Sequence, residues 1–173
     1  MGPSMTFQIG ERVVYPNQGV GTIENISTRS FGPRMERYYL LRLAATSMTI
    51  MVPFSHVQDV GLRKVTRSSE IQRVLDFLAT GKCRPMADWK DRFKENSEKM
   101  RCGSLAEMAE VLKGLVIQQM AKPLSFREKK MLERARQMLV TEVSTGRAVS
   151  DVQAVELLQK TMAKANLSFP EPL

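Results

Sequence analysis

The stretch LSFREKKMLERARQMLVTEV, residues 124–143, predicts a long amphipathic helix and with it the fold of the second half of the chain. Ser125 stands three residues before Glu128, the spacing of a capping box, in which both side chains bond free backbone N–H groups at a helix start. Apolar residues then recur every three or four positions, so they share one helical face and predict its contact with a hydrophobic core. They are Met131, Leu132, Ala135, Met138, Leu139 and Val143.

The same signals occur elsewhere in the second half of the chain. The pairs Ser104–Glu107 and Ser150–Gln153 have the spacing of a capping box, and helical apolar periods follow both. The pattern predicts a compact all-α helical bundle of about five helices in residues 64–173. The interior positions predicted for the other helices are Ile71, Val74, Leu75, Leu78, Leu105, Met108, Val111, Leu112, Leu115, Val116, Val152, Val155, Leu158 and Met162.

Residues 5–63 lack a helical period and alternate instead, as strands do. Turn signals separate the alternating runs, and Gly21 within one run indicates a bend or a close approach of another backbone. We predict a small, strongly bent antiparallel β-sheet or barrel of several short strands, and for the whole chain an α+β class with two domains. In one run, Tyr39, Leu41 and Leu43 face one side, and Tyr38, Leu40 and Arg42 the other.

Trp89 is the only tryptophan, and it stands in the charged run Asp88-Trp89-Lys90-Asp91-Arg92-Phe93-Lys94. Asp88 is a candidate N-cap for a helix that begins here. Trp89, Phe93 and Met100 lie on one helical stripe, which is more often part of a core than of a ligand contact. A flat apolar ring among cations is also suited to contact with nucleic-acid bases. The helix alone favours the core interpretation.

Positive charge is concentrated in the second half of the chain. Residues 1–61 carry five Arg against four acids, a net charge of +1, and residues 62–173 carry 21 Lys and Arg against 14 acids, a net charge of +7. This asymmetry predicts two modules with different partners, the second partner being anionic. A solvated surface with a modest excess of Lys is the simpler interpretation, and charge alone does not exclude it.

Patterns typical of catalytic and metal sites are missing from the sequence. Cys83 and Cys102 are too few for a disulfide framework and predict reduced thiols in a cytoplasm. His56 is the single histidine, and phosphate-binding loops, nucleophile elbows and paired carboxylates are not found. The acids are expected to be solvated partners of Lys and Arg, and the twelve Met to fill the core. We expect no catalytic residue, no metal and no cofactor.

Neither a membrane span nor a secretory signal is indicated by the sequence, since no apolar run has the required length. The residues Met1-Gly2-Pro3-Ser4 precede a second methionine, Met5. We interpret residues 1–4 as an expression scar and leave them out of the fold prediction.

Five segments in order, with the spacing of the family, resemble the CarD/CdnL family of bacterial transcription regulators. The resemblance covers nearly the whole chain from Met5, and the first module is also similar to the polymerase-interacting domain of transcription-repair coupling factors. The segments are Gly10-Glu11-Arg12-Val13-Val14-Tyr15-Pro16 with Asn17-Gln18-Gly19; Met48-Thr49-Ile50-Met51-Val52-Pro53; Val60-Gly61-Leu62-Arg63; Asp88-Trp89-Lys90; and Leu124-Ser125-Phe126-Arg127-Glu128-Lys129, continuing to Leu139-Val140.

The resemblance implies a Tudor-like domain in residues 5–63 that binds the β subunit of RNA polymerase, and a helical domain in residues 64–173 that contacts promoter DNA. On the polymerase side it points to Arg29 and to Met51, which stands where some members carry a second arginine.

On the DNA side the resemblance implies that Trp89 wedges into the minor groove at the upstream edge of the transcription bubble, which reverses the core interpretation. It also implies that Arg92, Lys94 and Lys129 contact the DNA backbone. Asp91 stands where some relatives have a basic residue, which implies fewer DNA contacts in this chain.

These expectations describe a non-enzymatic transcription regulator that stabilises the open promoter complex with low sequence specificity. We expect a monomer that is cytoplasmic and associates with the nucleoid through RNA polymerase. The alternative is an RNA- or ribosome-associated binding module with a basic helical domain, which would bind RNA without polymerase. An enzyme acting on nucleic acid is the third interpretation and would require a metal ion.

Overall fold

The computed structural model describes residues 6–83 and 89–172, including every side chain in these ranges except those of Phe31 and Trp89. Residues 1–4, interpreted as a scar, and Asp88, the candidate N-cap, lie outside the described residues. The chain divides between Val65 and Thr66 into two compact units, here called the sheet unit and the helical unit. The predicted α+β class with two domains is confirmed.

The described residues of the sheet unit form five antiparallel strands in the spatial order β4-β3-β2-β1-β5. A 3₁₀ turn at Phe54–His56 and a one-turn helix, α1, at Val57–Val60 lead from β4 to β5. The strands are β1 at Arg12–Tyr15, β2 at Gly19–Phe31, β3 at Arg34–Leu43, β4 at Thr49–Pro53 and β5 at Arg63–Lys64.

Two of these strands are longer than the short strands that the sequence predicts, because β2 has 13 residues and β3 has 10. Their pairing continues to the tip of the hairpin, where Phe31 pairs with Arg34 across a two-residue turn. Gly32 in this turn has φ of 65°, a left-handed conformation that glycine adopts without steric cost. The tight turn allows the two strands to pair over their full length.

The alternation predicted for β3 is confirmed. Its inward set, Tyr39, Leu41 and Leu43, is buried, while Arg42 on the other side is exposed. The Tyr39 ring stacks on Phe54 with 4.3 Å between ring centroids, and its hydroxyl accepts a hydrogen bond of 3.1 Å from a backbone N–H. Burial of this apolar side stabilises the sheet.

The ladder between β2 and β3 contains a bulge. The register between these strands shifts between Ile23 and Asn25, and a bulge of this kind increases the local twist. Gly21 lies beside the bulge, where an added Cβ would approach Leu41 Cδ1 to 2.7 Å and the Arg42 carbonyl oxygen to 2.8 Å. The close backbone approach predicted at Gly21 is confirmed.

The described residues of the helical unit form five helices, all at places where apolar periodicity predicts them. Ser125 and Ser150 form complete capping boxes with Glu128 and Gln153. At Ser104 only half of the predicted box forms, since its side chain accepts from Glu107 N without a reciprocal bond in the described structure. The helices are α2 at Ser68–Thr80, α3 at Trp89–Cys102, α4 at Leu105–Ala121, α5 at Phe126–Arg147 and α6 at Asp151–Ala163.

The core of this unit surrounds α4, which also buries a charge. Lys113 is only 3% exposed, and its Nζ donates to the carbonyl oxygens of Phe77 at 2.8 Å and Gly81 at 2.6 Å. The Phe77 carbonyl also accepts from Gly81 N at 2.7 Å, whereas the Gly81 carbonyl lies just past the end of α2, where a partner within the helix is lacking. Burial lowers the pKa of Lys113. Lys113 therefore joins α4 to the last turn of α2.

The prediction that Val152 faces inward is wrong, because this side chain is 68% exposed. The buried side of α6 is formed by Ala154, Leu158, Thr161 and Met162. Val152 precedes Ala154 by two residues, which turns it about 200° around the helix from this side. Ala154, although smaller than valine, is the residue that packs against the core at the start of α6.

Candidate functional site

The outer face of the sheet unit, defined here by Arg29, Glu36, Tyr38, Leu40 and Met51, lies opposite the core of the sheet. Arg29 pairs with Glu36 across β2 and β3, and Leu40 pairs with Met51 across β3 and β4. On β3, these residues alternate with the buried ones, so their side chains face away from the core. The face thus extends over three neighbouring strands.

The structure brings together the two residues that the family resemblance relates to polymerase binding. Arg29 Nη1 lies 3.6 Å from Met51 Sδ and donates a weak hydrogen bond to it across β3. Both side chains are exposed. Glu36 bonds to Ser55, and this bond lowers the pKa of Glu36. No carboxylate pairs with Arg29 among the described residues, so its guanidinium is available to a partner.

The basic end, defined here by Lys94, Arg127, Lys129 and Lys130, lies within the first two turns of α3 and α5. Lys94 and Lys129 are exposed, and neither has an ion pair with another described residue. The Arg127 guanidinium lies 5.8 Å from the centre of the Phe93 ring, which joins the starts of the two helices. The structure therefore places Lys94 and Lys129 on adjoining segments.

Arg92, also predicted to contact DNA, has a different environment. Its side chain is 23% exposed, and its Nη2 lies 3.5 Å from Glu128 Oε2. Its Nε is buried without a hydrogen-bond partner in the described part of the chain. The guanidinium is directed into the helical unit rather than extended into solvent.

Glu128 joins three helices through one buried carboxylate, and it is only 5% exposed. Its Oε1 accepts from Ser125 N at 3.3 Å and Ser125 Oγ at 3.1 Å, and its Oε2 accepts from Gln118 Nε2 at 2.9 Å and from Arg92. Burial alone would raise the pKa of Glu128, but the bonds from Gln118 and Ser125 and the charge of Arg92 lower it. The carboxylate is therefore held ionised.

A cavity of about 580 Å³ lies behind Arg92, between α3 and α4. Lys99 lines this cavity, and its Nζ forms ion pairs with Glu110 Oε2 at 2.8 Å and with Glu95 Oε1 at 3.4 Å. Burial would lower the pKa of Lys99, but its carboxylate partners raise it. Gln118 lines the cavity, and its Oε1, like Arg92 Nε, is buried without a hydrogen-bond partner in the described structure.

Trp89 is the first residue of α3, and its side chain lies outside the described residues. Its position places it three residues before Arg92, about one helical turn away. The wedge predicted for it stays a prediction.

Metal binding and membrane insertion are not indicated by the described residues. Within 6–83 and 89–172, no three His, Cys, Asp or Glu side chains are grouped so that they could hold a metal ion. None of the helices described has the length and apolarity needed to cross a membrane.

Sequence reasoning missed the buried network at Glu128 and the exposed apolar surface. The spacing of Ser125 and Glu128 identifies a local cap, but it does not show that Arg92 and Gln118 converge on the same carboxylate. Methionine was predicted to fill the core, yet Met35 and Met120 are 73% and 70% exposed. Met35 has the same parity as the buried residues of β3, and Met120 lies four residues after the buried Val116, so the local spacing gave no signal of their exposure.

Comparison with known proteins gives matches over both units. Residues 7–66 match the family model described as CarD-like/TRCF RID domain, and residues 73–159 match that of the CarD C-terminal domain. The chain is 33% identical over 147 residues to the Bacillus subtilis (strain 168) protein YdeB, named as a transcription factor, covering 85% of this chain and 96% of YdeB. The solved structure of CdnLNt from Myxococcus xanthus is 36% identical, with a TM-score of 0.31, and covers 35% of this chain and 86% of its own.

Proposed function

The chain belongs to the CarD/CdnL family of transcription regulators, and from this premise we propose that its two units bind different partners during transcription initiation. It is a transcription regulator that interacts with RNA polymerase. In our proposal the sheet unit binds the β subunit, the helical unit contacts promoter DNA, and one monomer thereby stabilises the open complex. The observation that carries the proposal is the separation of an Arg29–Met51 pair on one unit from the basic end on the other.

The outer face of the sheet unit has the chemistry of a protein-binding surface. It combines the Arg29 guanidinium, which has no ion pair with a described carboxylate, with the exposed Met51 and the half-buried Tyr38 and Leu40. Arginine, methionine and aromatic residues are enriched in protein interfaces. Contact through Arg29 requires an acidic or polar group on the polymerase, while Met51 requires an apolar one.

The basic end has the chemistry of a DNA-binding surface. Lys94 and Lys129 can each neutralise a phosphate, and counterion release makes such contacts sensitive to salt. Phosphate contacts carry no base information, so the sequence preference of the helical unit is expected to be low. Arg92, the third basic residue of the proposed set, is half-buried against Glu128 and differs in this respect from the two lysines.

Trp89 is proposed as the wedge at the upstream edge of the bubble. Once a base step has opened, an apolar ring that fills the gap opposes reclosure of the duplex. The position of Trp89 at the start of α3, five residues before Lys94, supports this role because it adjoins the basic end.

The test uses the full chain, purified RNA polymerase and a labelled promoter duplex. We expect Arg29→Glu to weaken polymerase binding on the order of 100-fold, since a like charge at an interface costs several kcal/mol. DNA binding in the absence of polymerase should be nearly unchanged. Arg12→Glu, the same charge change on an exposed residue of β1, is the matched control and should retain polymerase binding.

The double variant Lys94→Ala/Lys129→Ala should give the opposite result, with weaker DNA binding and normal polymerase binding. The loss should be similar for unrelated duplexes, and the slope of log K against log salt should decrease by about 1.8 for two lost contacts. Equal loss of both activities in either variant would disprove the separation of partners. Binding of RNA without polymerase, at the affinity seen for duplex DNA, would favour the RNA-associated alternative.

A further inference from the structure

Arg92 and Glu128 form the polar connection between α3 and α5, and the environment of this pair differs from that of a phosphate contact. An arginine that binds phosphate needs its donor fork free to meet the oxygens. Arg92 directs Nη2 to Glu128, and its Nε is enclosed. Its side chain is 23% exposed, whereas Lys94 and Lys129 are both in the exposed class.

Among the described side chains in the first half of α3, few are apolar, so this connection is the main contact that holds them. Of the α3 side chains that the structure describes, Met100 alone is a buried apolar residue, and it lies in the last turn. Helices in proteins are held mainly by packing of an apolar face. In the first half, the ion pair of Arg92 with Glu128 and the contact between Phe93 and Arg127 replace apolar packing.

The carboxylate of Glu128 also fixes the start of α5 and the end of α4. Ser125 donates to one of its oxygens, and Gln118 donates to the oxygen that Arg92 also contacts. Lys129 follows Glu128 directly in the chain, and Lys94 follows Arg92 by two residues. The same buried group therefore determines how the two exposed lysines are placed relative to each other.

We infer that Glu128 is a positioning residue, which through Arg92 holds α3 in the orientation that presents Trp89 and Lys94 to DNA beside Lys129. Arg92 acts through Glu128 rather than through a phosphate. This inference rests on the proposed DNA contact of the helical unit.

Glu128→Gln gives a test in which two explanations predict opposite signs. Glutamine at this position preserves a capping box, so α5 keeps its start, while one negative charge near the basic end is lost. If Arg92 were a phosphate contact restrained by Glu128, this change would tighten DNA binding and lengthen the life of the open complex. Positioning predicts a shorter lifetime, by about tenfold, the effect of losing a hydrogen bond to a charged group.

Arg92→Gln removes the other partner and gives a second, independent measurement. The open-complex lifetime should fall by a similar factor. The double variant with Glu128→Gln should have the same lifetime as either single variant, because each change breaks the same connection. The slope of log K against log salt should stay that of the parent protein. Lys129→Ala, a phosphate contact in our proposal, should decrease that slope by about 0.9.

The experiments measure open-complex decay under heparin challenge and DNA binding by fluorescence anisotropy over a range of salt, both with the full chain. The control is Glu98→Gln/Arg101→Gln, which removes an exposed ion pair on the same helix and should change neither quantity. Circular dichroism melts verify that each variant is folded. If Glu128→Gln does not fold, Arg92→Gln still decides the question through its salt slope.

A longer or unchanged open-complex lifetime in folded Glu128→Gln would overturn the inference. So would a decrease in salt slope for Arg92→Gln equal to that of Lys129→Ala. If Lys94→Ala and Lys129→Ala both leave DNA binding unchanged, the proposed function fails and the positioning role fails with it. Loss of DNA binding in those two variants with a normal Glu128→Gln would refute the positioning role alone.

Discussion

The two units of this chain form their candidate binding surfaces in different ways. In the sheet unit, backbone pairing places Arg29 and Met51 on one face, with a strand between them. In the helical unit, the basic end depends on side chains, because a buried carboxylate at Glu128 connects α3, α4 and α5. A sheet surface is therefore fixed by main-chain hydrogen bonds, and this helical surface by a few polar side chains.

This difference determines where a single substitution can do damage. An outward residue of a sheet can be exchanged with little effect on its neighbours, because the ladder holds the backbone in place. A residue such as Glu128 contributes to the placement of three helices at once. We expect functional variants of the sheet unit to affect local contacts, and those of the helical unit to affect geometry as well.

The largest effect that sharpens this comparison is expected for Trp89→Ala. If Trp89 is a wedge on an exposed helix end, its removal should shorten the open-complex lifetime by tenfold or more, roughly the effect of an interface hot spot. Polymerase binding and the melting temperature should change little. The measurements are open-complex decay and a thermal melt of the same preparation.

Leu115→Ala serves as the reference for a core substitution, since Leu115 is fully buried in α4. Its expected cost is about 2–5 kcal/mol of unfolding free energy. If Trp89→Ala costs as much as this reference and leaves the decay rate of the folded protein unchanged, Trp89 belongs to the core and the wedge mechanism is wrong.

Much of the fold could be predicted because its determinants are local. Alternation in β3 identified the buried side, and the pairs Ser125–Glu128 and Ser150–Gln153 located two helix starts. These patterns involve residues within one turn or one strand, so sequence spacing reports them directly.

The placement of buried polar groups could not be predicted, since it depends on contacts between distant segments. Glu128 and Arg92 are 36 residues apart, as are Lys113 and Phe77. No periodicity relates such positions. The acids were expected to be solvated, and Glu128 and Glu142 are buried instead. The role of each candidate residue likewise depends on neighbours that the local sequence does not specify.

A smaller effect is expected for Lys113→Met, which tests whether the helical unit depends on buried polar links in general. The substitution keeps the length of the side chain and removes the Lys113 donor from the Gly81 carbonyl, while the Phe77 carbonyl retains its bond from Gly81 N. An unsatisfied buried acceptor costs about 1–3 kcal/mol, and the free energy of unfolding should decrease by that amount.

Urea denaturation followed by circular dichroism measures the change in Lys113→Met. Lys160→Met, on an exposed residue of α6, is the control and should stay within about 0.5 kcal/mol of the parent protein. A stability loss of the same size in both variants would show that the effect arises from charge removal rather than from the lost hydrogen bonds.

The smallest effects compare glycines from the two units, and they should have opposite signs. An added Cβ at Gly114 in α4 meets nothing within 4 Å, while at Gly21 in β2 it would lie 2.7 Å from Leu41 Cδ1. Gly114→Ala should stabilise the chain by about 0.5–1 kcal/mol, because glycine within a helix has a higher conformational entropy in the unfolded state. Gly21→Ala should destabilise it, because either the paired backbone or the buried Leu41 must move. Urea midpoints of both variants provide the measurement. Stabilisation by Gly21→Ala would show that the sheet accommodates a Cβ at this position despite the close contacts.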